Sequence, residues 1–108
     1  MGTNRVARKD AVSVGDALKI LLKGSKLLPQ HNSYRIGEAW NEASGAAKYT
    51  MKRFYRDRKL FITLSSSAVR SQLSFQKDAL IERMNSLLAE DELYIQDGDA
   101  PVKELILK

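Results

Sequence analysis

Six cations fall within twelve positions of this chain: Lys48, Lys52, Arg53, Arg56, Arg58 and Lys59, opposed there only by Asp57. Cations at this density hold anions, above all the phosphates of a nucleic-acid backbone, whose binding is driven by release of condensed counterions. Tyr49, Phe54, Tyr55 and Phe61 are interleaved with them. Aromatic rings set between cations can stack unpaired bases, but alternation requires one face of the hairpin to be buried, which places Phe54 or Tyr55 in the core and makes at least half of these aromatics structural. The run Leu60-Phe61-Ile62-Thr63-Leu64-Ser65-Ser66-Ser67 follows directly, with Arg70 three positions further on. Hydroxyls and free backbone N–H groups at a helix start are a second place for a phosphate. The bland role for the same serines is to turn the chain and cap the helix, which serine does well.

Other chemistry is poorly supported. There is no cysteine, which excludes disulfides, thiolate zinc sites and thiol catalysis. The one histidine, His31, lies in Pro29-Gln30-His31-Asn32, read as a polar loop. A structural zinc site would then rest on carboxylates, which suit zinc poorly. The serine triplet lacks the flanking glycines of a nucleophile elbow. The six glycines are scattered, so no glycine-rich phosphate loop exists. Gly45-Ala46-Ala47-Lys48 comes nearest to the G-x-x-G loop of KH domains but lacks the second glycine. Asp91 and Glu92 sit in a solvated acidic run. No catalytic constellation emerges, and neither an enzyme activity nor a cofactor or metal is expected.

The whole chain, at 108 residues, makes one domain, able to bury roughly two-thirds of its unfolded surface. The net charge of +5 is unevenly spread. Residues 1–70 carry 14 basic and 5 acidic side chains, and residues 71–108 carry 4 and 8. A chain divided this way presents a positive region to something anionic, although a solvated, solubilising surface would look the same. No apolar run approaches the roughly 20 residues of a membrane span, and no apolar leader opens the chain. A cytoplasmic setting is expected, with no membrane and no small-molecule substrate as partner.

The elements that must position the cations follow from periodicity. Residues 1–12 read as a mobile basic arm with Arg5, Arg8 and Lys9, and residues 13–108 as the single domain. Ser13 and Asp16 open a helix with an apolar stripe of Val14, Ala17, Leu18, Leu21 and Leu22, and with Lys19, Lys23 and Lys26 on another face. Gly24 and Pro29 act against its continuation. A second helix is expected from about Tyr34 to Ala43, stopped by Gly45. Its lone Trp40 is either a core anchor or a partner contact.

Met51–Tyr55 and Lys59–Ser65 alternate as the strands of a hairpin whose turn, Arg56-Asp57-Arg58, is of uncertain type because it lacks glycine. Leu60, Ile62 and Leu64 should face the core, with Phe61 and Thr63 opposite. On the first strand Met51, Arg53 and Tyr55 share one side and Lys52 and Phe54 the other. Ser66 or Ser67 should cap a third helix running to about Leu88. Its buried stripe is Val69, Leu73, Leu80, Met84, Leu87 and Leu88, with Gln72, Lys77, Glu82 and Asn85 outward. Leu93–Ile95 reads as a short strand end, Asp97-Gly98-Asp99 as a turn, and Val102–Leu107 as the last strand. The order α-α-β-β-α-β gives an α+β fold, three strands with helices packed on one face.

This order resembles that of the DciA family. The residues concerned are Val14-Gly15-Asp16-Ala17-Leu18, Trp40, Gly45, the basic Lys52–Lys59 hairpin, Leu60–Ser67, Val69–Leu73 and Leu105-Ile106-Leu107. The likeness lies in order and spacing over residues 13–108, with no single diagnostic motif. It implies a short, single-domain member with a KH-like fold. Such a protein is not an enzyme; it binds the bacterial replicative helicase and assists its loading on single-stranded DNA. Many members carry a long disordered extension, where this chain shows only a short arm. With the G-x-x-G loop absent, weak, sequence-independent DNA contact would rest on the basic hairpin and the arm, with Lys48, Lys52, Arg53, Arg56, Arg58, Lys59 and Arg70 carrying the phosphate contacts. Two rival readings are an RNA-binding KH-like module and a protein-interaction domain whose basic face meets an acidic partner.

Overall fold

The basic stretch folds as a two-stranded ribbon because its alternation lets one face be buried while the other stays wet. The computed structural model describes residues 14–22 and 24–108, with side chains from Asp16 onward. The arm, Ser13 of the expected capping box, and Lys23 lie outside these. The described elements are α1 (Val14–Leu22), α2 (Leu27–Ser44), a 3-10 turn (Ala47–Tyr49), β1 (Thr50–Arg56), β2 (Lys59–Leu64), α3 (Ser67–Ser74), α4 (Lys77–Ala89) and β3 (Glu104–Leu107). The fold is α+β, with a mixed three-stranded sheet in the order β1-β2-β3. β1 and β2 are antiparallel and β2 and β3 parallel. A parallel pair needs a long crossover, and α3, α4 and residues 90–103 supply it.

The hairpin closes on Asp57 and Arg58, both at positive φ (52° and 65°), between the paired residues Arg56 and Lys59. That is the two-residue type I′ connection, whose twist matches the strands but which ordinarily recruits Asn and Gly. Arg58 tolerates the conformation because its backbone and side chain are both anchored. Its carbonyl accepts from Lys103 N at 2.8 Å, and its guanidinium grips Asp97 at 2.5 and 3.3 Å.

Leu60, Ile62 and Leu64 are buried as the alternation requires, and they pack with Ile36, Trp40, Met84, Leu88 and Leu105 in one core. Trp40 is 0% exposed, with its indole N–H donating to Thr50 Oγ1 at 2.9 Å. Its partner-contact reading is therefore corrected: the ring has no surface to offer, and it joins α2 to the start of β1.

Other expectations change. α2 begins seven residues before Tyr34, because Pro29 stands in its first turn, where a missing N–H breaks no helical bond. His31 is consequently in a helix, not a loop, and its Nε2 bonds to the Leu93 carbonyl. Among the described side chains of the α1 stripe, Ala17, Leu18, Leu21 and Leu22, none belongs to the core cluster; Leu21 is 76% exposed.

The third helix is two helices. Ser74 Oγ bonds back to Arg70 O at 2.8 Å, and Phe75 N and Gln76 N bond to Gln72 O and Leu73 O, tightening the turn at the corner. The register of the apolar stripe survives the break, since Leu73, Leu80, Met84 and Leu88 are all buried. Lys77 and Asn85, expected to point outward, are half-buried.

Leu93–Ile95 is not strand. Residues 90–103 are irregular, and their backbone is satisfied by side chains instead of a ladder. Asn32 bonds both N and O of Ile95 at 3.0 Å. Asn85 does the same for Val102 at 2.9 Å, Tyr55 Oη donates to Pro101 O, and Arg35 pairs with Asp91 at 2.7 Å.

Candidate nucleic-acid interface

Register decides which cations stand together. Opposite the core residues Leu60, Ile62 and Leu64 lie Tyr55, Arg53 and Thr50, so these point to the helix side of the sheet. The remaining positions make the other face: Lys52, Phe54 and Arg56 on β1, opposite Thr63, Phe61 and Lys59 on β2. β3 extends it, with Glu104 beside Lys59 and Ile106 beside Phe61. Lys108 follows in alternation, its Nζ 5.5 Å from the Phe61 ring centroid. The helices that supply the core lie on the opposite side of the sheet.

On this face, across β1 and β2, Phe54 and Phe61 form a tilted pair, with centroids 5.8 Å apart and planes at 46°. Phe54 is 57% exposed. Lys52, Arg56, Lys59 and Lys108 surround the pair. Lys59 lies 3.9 Å from Glu104 and Arg56 3.6 Å from Asp57, both exposed pairs of the kind worth little in water. Either cation can therefore exchange its carboxylate for a phosphate at small cost.

The other expected cations are elsewhere. Arg53 lies over Gly37 on the helix side, and its Nε and a terminal nitrogen donate to Asn41 Oδ1 at 3.0 and 2.7 Å. It borders a cavity of about 600 Å³ between α2 and β1, lined also by Tyr34, Glu38, Met51 and Lys52, the last two at the register shift of β1. Arg58 is committed to Asp97. Lys48, in the 3-10 turn with its Nζ 5.5 Å from the Tyr49 ring centroid, and Arg70, in the first turn of α3, sit where β1 starts and β2 ends, away from the hairpin tip.

The serine triplet is largely used by the fold. Ser66 Oγ accepts from Val69 N at 3.2 Å as the cap of α3, and Ser65 N donates to Tyr49 O at 2.8 Å. The shifted titrating groups likewise gather in a structural cluster behind the hairpin. Burial pushes Tyr94 up to about 12. Tyr55 is raised, first by burial. The Arg58 guanidinium holds Asp97 below the usual carboxylate range, and Lys103 lowers Asp99. The cluster is a staple between the hairpin and residues 97–103. Among the described residues no three acidic or histidine side chains are placed to hold a metal ion, and no described helix is long and apolar enough to cross a membrane.

Sequence reasoning missed Ile106 and Lys108 as members of this face. Nothing local shows that β3 pairs parallel to β2, and that pairing alone brings Lys108 to Phe61. The two faces of β1 were separable by alternation, but which face would be buried needed the register.

With this geometry in hand, comparison with known proteins adds one result. Residues 13–94 match the family model described as Dna[CI] antecedent, DciA, and the chain belongs to that family. Membership places it among replication-associated proteins of the helicase-loader type, a family of accessory proteins and not of known enzymes. Comparison with curated proteins and with solved structures gave no match.

Proposed function

We propose that this chain binds the bacterial replicative helicase and assists its loading on single-stranded DNA, while holding that DNA weakly and without sequence preference. The observation that carries the reading is the family match over residues 13–94, joined to a sheet face that no described helix covers and that bears Lys52, Arg56, Lys59 and Lys108. These four are the proposed phosphate contacts on the sheet. Lys48 and Arg70 would extend the track along the far end, whereas Arg53 and Arg58 are held by Asn41 and Asp97 and act in the fold. Cations without any built pocket for a base edge give backbone contact, which positions but does not specify. The KH-like description rests on the α-β-β-α-α-β order and the mixed sheet; without a G-x-x-G loop it supplies a platform, not a clamp.

The test is sedimentation of the host's purified replicative helicase with and without the chain. Co-sedimentation as a complex is expected. A helicase peak unchanged at micromolar chain would overturn the partner assignment. Titration with equal lengths of single-stranded DNA and RNA separates the loader reading from an RNA-binding module, which would prefer RNA.

A further inference from the structure

We infer that the Phe54–Phe61 pair is a base-stacking platform, so the open sheet face takes single-stranded nucleic acid by its bases as well as its phosphates. The inference deepens the proposed DNA contact and rests on it. Its first ground is exposure. A phenylalanine on a strand is normally buried, yet Phe54 is 57% exposed on the edge strand β1, on a face that no described helix covers. Its second ground is surroundings. Phe61 has the Lys108 ammonium 5.5 Å from its centroid, and Lys52, Arg56 and Lys59 rim the pair, so four cations stand about the rings, against Glu104 beside Lys59.

An apolar patch awaiting another protein's apolar surface would not need that rim. A patch made only to repel edge pairing would not need the rings. A strand with splayed bases satisfies both, because every base has a π-face and every linkage a phosphate. Duplex DNA offers phosphates but no free base faces, so the pair adds a preference for single strands that cations alone do not give.

The experiment uses the whole chain and fluorescently labelled oligo-dT, with a duplex of equal length as control. Phe54→Ala is expected to weaken single-strand binding roughly 5- to 150-fold and duplex binding little, with the salt slope unchanged. Because Phe54 is exposed the variant should fold. Phe54→Leu keeps an apolar cover on Phe61 without a ring and should bind as weakly. Phe54→Trp gives a direct readout, since the native Trp40 is fully buried. Its indole fluorescence should be quenched by oligo-dT and not by polyglutamate.

Wild-type binding with normal salt dependence but no loss in Phe54→Ala would overturn stacking while leaving the cation contact standing. Equal loss on single strand and duplex would do the same. Equal quenching by polyglutamate would assign the face to an acidic protein segment. Absence of any wild-type binding at low salt would remove the DNA reading itself.

Discussion

Salt should read out how many cations of the open face meet phosphate. Lys52, Arg56, Lys59 and Lys108 share that face. With Lys48 and Arg70 extending the track, six contacts that each neutralise one phosphate of a single strand give log Kd a slope of about 4.2 against log salt, at about 0.7 per contact. Raising NaCl from about 50 to 200 mM should then weaken oligo-dT binding roughly 300-fold. The double substitution of Lys52→Ala with Arg56→Ala leaves four contacts, so the slope should fall to about 2.8 and the same salt step should cost only about 50-fold. Arg58→Ala is the internal control. Its guanidinium is bonded to Asp97 at 2.5 and 3.3 Å, so its removal should lower stability and leave the slope alone. Fluorescence anisotropy across a salt series measures all three. A double variant with the wild-type slope, or an Arg58→Ala variant that lowers the slope equally, would refute the assignment of cations by face.

Three further outcomes follow from the fold and its turn. Asn85→Ala removes two bonds to Val102 and strands a buried backbone donor and acceptor, so urea unfolding should show a loss of about 2–4 kcal/mol. A loss under about 0.5 kcal/mol would contradict that role for Asn85. Asp97 titrates below its ordinary value because of Arg58, so its ion pair stabilises the fold above the unfolded carboxylate range, and that contribution is lost as pH falls through the lowered value. The gap in urea midpoint between wild type and Asp97→Asn should hold at neutral pH and close below about pH 4; a gap constant to pH 2 would count against it. Asp57→Asn places the better left-handed residue in the type I′ turn and removes the one acid among the six cations. It should raise the urea midpoint slightly and tighten oligo-dT binding, and weaker binding would oppose the account.

Much of this architecture was readable along the chain. Leu60, Ile62 and Leu64 alternate too regularly to face anything but a core, and Leu80, Met84 and Leu88 keep a helical stripe. Short local signals misled where tertiary context overrode them. Pro29 looks like a stop, but at the third position of a helix it costs no hydrogen bond. Serines and glutamine near Phe75 permit a corner that the apolar period does not announce.

Leu93–Ile95 has the composition of a strand, yet its backbone partner is the side chain of Asn32, 63 residues away. The candidate site was legible as a composition and not as a surface. Six neighbouring cations were visible at once. Their division between an open face, an ion-paired staple and a helix-side contact depends on register and on Asp97 and Asn41, which no local window contains. Lys108, nearly fifty positions beyond the cluster, joins it only through the parallel β3.

The most direct test of the central claim is helicase loading. The rate at which the host's replicative helicase displaces a labelled strand annealed to a single-stranded DNA circle should be measured with and without the chain. The account predicts a severalfold faster displacement with the wild-type chain, and a smaller gain when Lys52 and Arg56 are replaced together. A rate unaffected by the wild-type chain, under conditions where it binds the helicase, would contradict it.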